Sequence, residues 1–151
     1  MRKLLAAAVL ALTTLLAAEP AHAEQAPVHT ALFSRVAVDG YDPVAYFTDG
    51  RPVRGATQHR ITHQGYEYRF ASAEHLATFR ANPARYLPQY GGYCAWAVSN
   101  GFTAAGIPQK WRIVDGKLYL NYNDEIQTRW ERDIPGFIRS GNANWPRVLS
   151  R

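Results

Sequence analysis

An α+β fold, built as a small single domain with two β-hairpins and several short helices, follows from three observations. Two stretches, residues 59–70 and 111–121, alternate apolar and polar residues about a two-residue turn, Gln64-Gly65 in the first and Asp115-Gly116 in the second. A helix-capping residue follows each stretch at once, Ser72 after the first and Asn123 or Asp124 after the second. The resulting order of hairpin, helix, hairpin and helices excludes the strand–helix alternation of a parallel sheet.

The elements can be justified in chain order. Val36-Ala37-Val38 is a short strand candidate ended by Asp39-Gly40. Asp42-Pro43 opens a helical turn, because an Asp side chain can cap free N–H groups and proline suits the first helical position. That turn runs through Tyr46 or Phe47 and stops at Asp49-Gly50. In the first hairpin a two-residue loop pairs His59 with Phe70, Ile61 with Tyr68 and His63 with Tyr66, on one face. Ser72 caps a helix reaching about residue 81, with Leu76 and Phe79 on its buried stripe. Asn82-Pro83 ends it and starts a turn carrying Tyr86 and Leu87. Residues 88–106, rich in glycine and aromatics, give no clear period. In the second hairpin Trp111, Ile113, Leu118 and Leu120 share the core face. A helix with Ile126 and Trp130 four apart follows. Asp133 and Pro135 start a last short helix with Phe137 and Ile138, and Asn144-Trp145-Pro146 closes the domain. No internal repeat is evident in the residue types.

The first 23 residues read as an export signal. Arg2 and Lys3 precede an apolar run from residue 4 to 18, and Ala21-His22-Ala23 supplies the small residues of a cleavage site before Glu24. The run is shorter than the ~20 residues of a spanning helix. There is no Arg-Arg pair and no Cys after the cleavage site, so an unfolded-chain route to a bacterial periplasm is expected, with secretion beyond it as the alternative. No membrane anchor is expected once the signal is removed. The division is then a signal peptide at 1–23, an arm at 24–34, the domain at 35–148 and a tail at 149–151.

The net charge of +5 is scattered, without a Lys/Arg run. That pattern describes a solvated surface and excludes a nucleic-acid footprint. Cys94 is the single cysteine, so no intrachain disulfide is possible. Stability must come from packing, to which an aromatic content of 13% contributes.

Several segments together resemble the YHS-domain family, in its exported, cysteine-poor branch. They are Gly40-Tyr41-Asp42-Pro43-Val44-Ala45-Tyr46-Phe47, Gly65, Tyr68-Arg69-Phe70-Ala71-Ser72, Phe79, Asn82-Pro83, Tyr86, Pro88-Gln89-Tyr90-Gly91-Gly92-Tyr93-Cys94-Ala95, the Asp115-Gly116 hairpin and Asn144-Trp145-Pro146. The resemblance implies a small module associated with heavy-metal-handling proteins, including metal-pumping ATPases. The metal-linked branch carries Asp-Pro-Val-Cys and Phe-Cys-Ser-x-x-Cys. In this chain Ala45, Ala71 and His75 stand at those cysteine positions. The namesake histidine is His59 or His63.

The candidate chemistry centres on Cys94, a lone thiol that can bind a metal, pair with another chain, react with an oxidant, or simply pack between Tyr93 and Trp96. With His75, His59 and His63 it forms the candidate metal set, for a transition-metal ion such as copper or zinc. His59 and His63 share a strand face but stand about 13 Å apart along it, too far for joint chelation. His75 is expected at the surface. Tyr90, Tyr93 and Trp96, with Phe102, are candidates for an aromatic ligand pocket. No Gly-x-Ser-x-Gly, His-Glu-x-x-His or phosphate loop is present. The expectation is a non-enzymatic accessory that binds a metal ion or small ligand, with a ligand-free structural or protein-interaction module as the alternative.

Overall fold

The computed structural model describes residues 24–150; the expected signal segment lies outside them. Helices α1 (Ala45–Thr48), α2 (Ala73–Ala81), α3 (Pro83–Tyr86), α4 (Ala95–Ser99), α5 (Asp124–Glu131) and α6 (Ile134–Asn144) surround two antiparallel hairpins. The first hairpin is β1 (Ala56–His63) with β2 (Tyr66–Phe70), and the second is β3 (Ile107–Val114) with β4 (Lys117–Asn121). The architecture is α+β, with two separate two-stranded sheets. Among the described residues no helix is long and apolar enough to cross a membrane.

Local chemistry accounts for most element ends. Gln64 and Gly65 both have positive φ, as do Asp115 and Gly116, the backbone of a hairpin turn that follows the strand twist. The Ser72 hydroxyl accepts from the His75 N–H, Asn123 from Ile126 and Asp133 from Gly136, each filling an otherwise open helix N-terminus. Val36 and Ala37 make only isolated bridges, to Glu67 and Thr30, so the expected first strand is reduced to single pairings.

The first hairpin corrects one expectation. His63 faces Tyr66 and Ile61 faces Tyr68, but Phe70 pairs with Ala56 and not with His59. A bulge between Ala56 and Arg60 takes up the extra residues and leaves His59 outside the ladder.

The second hairpin carries the same irregularity at the same place. Ile107 pairs with Asn121 and Trp111 with Leu120, with the register shift between them. Position for position, Ala56, Arg60 and Phe70 correspond to Ile107, Trp111 and Asn121. The correspondence extends outward from the hairpins. Tyr41 bridges Arg54 as Tyr93 bridges Ala105. The Asp42 N–H bonds the Val53 carbonyl as the Cys94 N–H bonds that of Ala104. Gly55 and Gly106 sit at matching points where a Cβ would collide, with the Arg69 backbone in one case and the Gly92 carbonyl in the other. The caps Ser72 and Asn123, and the fully buried Phe79 and Trp130, also match. The chain is therefore a structural duplication, hidden because backbone pairing repeats while side-chain identity does not.

Two cores result. Val44, Tyr46, Tyr68, Phe70 and Phe79 form the first, and Tyr90, Tyr93, Val98, Trp130 and Val148 the second. Strand β4 serves both, since Leu118 and Leu120 enter the first core and Tyr119 the second. Residues 24–34 are pinned to the domain: Gln25 N–H bonds Leu149 O, His29 N–H bonds Gly91 O, and Tyr93 Oη donates to Ala26 O. Leu149, expected in the tail, is buried in the second core.

Candidate functional site

The duplication places two matching sites where each unit enters its short helix. In the first unit Asp42 is fully buried. Its Oδ1 accepts from the Val44 and Ala45 N–H groups at 2.8 and 3.2 Å. Its Oδ2 accepts from the Ala71 N–H at 2.8 Å and from His75 Nδ1 at 2.6 Å. Four donors thus occupy one carboxylate, which ties the start of α1 to the β2–α2 junction. His75 is not a surface residue. Its side chain is 15% exposed, and Nε2 lies 3.3 Å from Thr48 Oγ1. The cause is the Ser72 cap, which starts α2 so that its third residue meets Asp42. Ala45, Ala71 and His75, the positions of the metal-linked branch's cysteines, all meet the Asp42 carboxylate.

In the second unit Cys94 takes the place of Asp42. The Asp42 carboxylate accepts from the Val44, Ala45 and Ala71 N–H groups, whereas the Cys94 thiol donates to Asn121 Oδ1. Burial pushes the Cys94 thiol pKa up, and nearby backbone N–H groups offset part of that rise. The sulfur lies 3.6 Å from Asn121 Oδ1, which accepts the Trp96 N–H at 3.2 Å. Asn121 is fully buried, and its Nδ2 has no hydrogen-bond partner among the described residues.

Ile126 replaces His75, so nothing polar closes this second site. A cavity of about 210 Å³ opens there, walled by Cys94, Trp96, Ala97, Phe102, Tyr122 and Ile126. Trp96 and Phe102 meet edge to face with centroids 6.0 Å apart. Of the expected pocket residues, only Trp96 and Phe102 line this cavity. Tyr90 and Tyr93 are instead buried in the second core, where Tyr90 Oη reaches Asn142 Oδ1 at 2.9 Å. Chain direction explains the split: the Tyr90-Gly91-Gly92 turn, with positive φ throughout, sends the two tyrosines inward before Cys94.

The candidate metal residues are not brought together. His63 packs against the Tyr68 and Phe79 rings, His59 lies half-buried at the β1 bulge, His75 holds Asp42 and Cys94 faces Asn121. Among the described residues no group of three or more His, Cys, Asp or Glu side chains could hold a metal ion. The donors therefore do not fit a mixed sulfur–nitrogen site. Sequence reasoning missed Asp42 as more than a helix cap, and missed Asn121 altogether; Asp-Pro carried the signal for the first, and nothing local marked the second.

A duplicated α+β domain, with a polar site closed by Asp42 and His75 and an apolar site open at Cys94, is the class these features define. Within its first unit, the family model of the YHS domain matches residues 44–90. The match ends before Cys94 and the second hairpin. No curated protein and no solved structure gives a match.

Proposed function

We propose that the protein is exported to the periplasm and acts there as a non-enzymatic accessory that binds a small aromatic or aliphatic ligand in the Cys94 pocket. The carrying observation is the contrast between matching positions. Where the first unit fills the space with the Asp42–His75 pair, the second leaves an apolar cavity of about 210 Å³. A dry apolar cavity of about 150 Å³ suffices to bind benzene. Binding a metal ion instead draws less support, because the four candidate ligands are each engaged separately. The protein-interaction alternative is favoured by Leu32 and Phe33, 83% and 100% exposed on one tight turn.

Calorimetric titration with p-cresol is the test. Saturable binding is expected, lost in Ala104→Phe, which fills the cavity from a partly exposed wall position. Saturable binding of Cu(I) or Zn²⁺ with none of p-cresol would overturn the reading. Export is checked by mass spectrometry of the periplasmic protein, where an N-terminus at Glu24 is expected; an intact Met1 start would contradict it.

A further inference from the structure

The turn that carries Leu32 and Phe33 bears costs that the fold does not recover. Leu32 is 83% and Phe33 100% exposed. Phe33 also holds φ at 59°, left-handed backbone that favours glycine or asparagine over an aromatic residue. The turn is nonetheless firmly closed. The Ser34 N–H bonds Ala31 O at 3.0 Å, Thr30 Oγ1 donates to Ser34 O at 3.0 Å, and Thr30 bridges Ala37. Two large apolar side chains are thus held out in water at adjacent positions, and among the described residues none covers them. An exposed apolar patch on a well-formed element marks an interaction site.

The ground around this turn is basic, because folding gathers charges that are scattered along the chain. Arg69 lines one shallow hollow with Ala31, Ser34, Val36 and Asp39, directly beside the turn. Arg60 pairs with Arg69 across the first hairpin, so their side chains share a face. Arg54 reaches the Asp39 carbonyl at 3.1 Å, and the exposed Arg35 follows Ser34 in the chain. Two carboxylates stand among these four guanidinium groups: Glu67, held by Arg69 at 2.6 Å, and Asp39. Among the described residues Arg35, Arg54 and Arg60 have no carboxylate partner. Like charges directly opposite each other in a hairpin cost stability, so the Arg60–Arg69 pair, like Phe33, points to a partner outside the chain. The apolar tip calls for an apolar medium and the arginines around it for an anionic one. A bilayer with acidic headgroups supplies both at adjacent depths.

We propose that the Leu32-Phe33 turn is a reversible docking point for an anionic membrane surface. Leu32 and Phe33 enter the boundary between headgroups and acyl chains, and Arg35, Arg54, Arg60 and Arg69 meet the lipid phosphates. Two apolar side chains bind weakly by themselves, so the charges decide which lipids are met. This surface shares no residue with the Cys94 pocket.

The test is co-sedimentation with vesicles of phosphatidylglycerol mixed with phosphatidylcholine, or of phosphatidylcholine alone. It uses the chain from Glu24 on, which contains both cores and lacks the apolar run at residues 4–18. Binding to the phosphatidylglycerol vesicles is expected, and it should weaken as salt is raised. Phe33→Gly combined with Leu32→Ser should abolish binding without lowering the melting temperature, because glycine suits the φ of 59°. Arg60→Gln should weaken binding roughly fivefold, the share of one arginine near such a surface. Its melting temperature should be unchanged or higher. Absence of binding to phosphatidylglycerol vesicles, equal binding to both vesicle types, or binding retained by the double variant would each overturn the proposal. Capture of a protein, or of a second copy of this chain, through the turn without vesicle binding would do the same.

Discussion

The two units use one backbone for different ends. At the position equivalent to Asp42 and His75 the second unit has Cys94 and Ile126. The first site is saturated with hydrogen bonds and closed, while the second is apolar and open. The hairpins differ in the same sense. Arg60 on the first is exposed, and its counterpart Trp111 on the second packs edge-on against Tyr46, 5.2 Å between centroids. A duplicated scaffold thus fixes geometry twice, and side-chain choice alone decides which copy is a lock and which a cavity.

The comparison is sharpened most by emptying its two largest matching core sites. Phe79→Ala and Trp130→Ala should each cost about 3–5 kcal/mol, the usual penalty for an aromatic cavity. Because β4 feeds both cores, each variant should still unfold in one denaturant transition. Two resolved transitions would mean that the units fold independently.

Removing the lock comes next. Asp42→Ala leaves two buried N–H groups, the part-buried Ala71 N–H and His75 without their acceptor, a loss expected at about 3 kcal/mol. Chemical denaturation measures it. Cys94→Ala removes only a thiol from the matching position and should cost about 1 kcal/mol. Equal losses would erase the distinction between lock and cavity.

Trp111→Ala should cost about 2 kcal/mol, since only part of the ring's apolar area is withdrawn from water. Its counterpart Arg60→Ala should move the denaturant midpoint hardly at all, as expected for an exposed side chain. The smallest effects belong to the caps. Ser72→Ala and Asn123→Ala should each lose about 1 kcal/mol, and a much larger loss for Ser72 would show that the cap also positions His75 against Asp42.

Much of this fold was legible in residue order, because its signals are local. Turn glycines, caps and strand alternation each act over a few residues, and they located both hairpins, α2, α5 and the start of α6. Residues 88–106 were opaque, since Tyr90, Gly91 and Gly92 adopt left-handed backbone that no period announces. The bulge that displaces His59 was equally hidden, because alternation alone does not reveal extra residues in a strand.

What the sequence determined by itself is the α+β class, the hairpin turns, the helix starts and the resemblance confirmed by the family match over residues 44–90. These rest on backbone preferences that each residue carries with it. The duplication, the Asp42–His75 lock with its N–H cradle, the Cys94–Asn121 contact and the pocket were decided only by the tertiary structure. Each depends on contacts between residues far apart in the chain, such as Asp42 with His75 and Cys94 with Asn121. The physical reason is that a cradle is made of backbone N–H groups, which every residue type but proline supplies, and only folding decides where they converge.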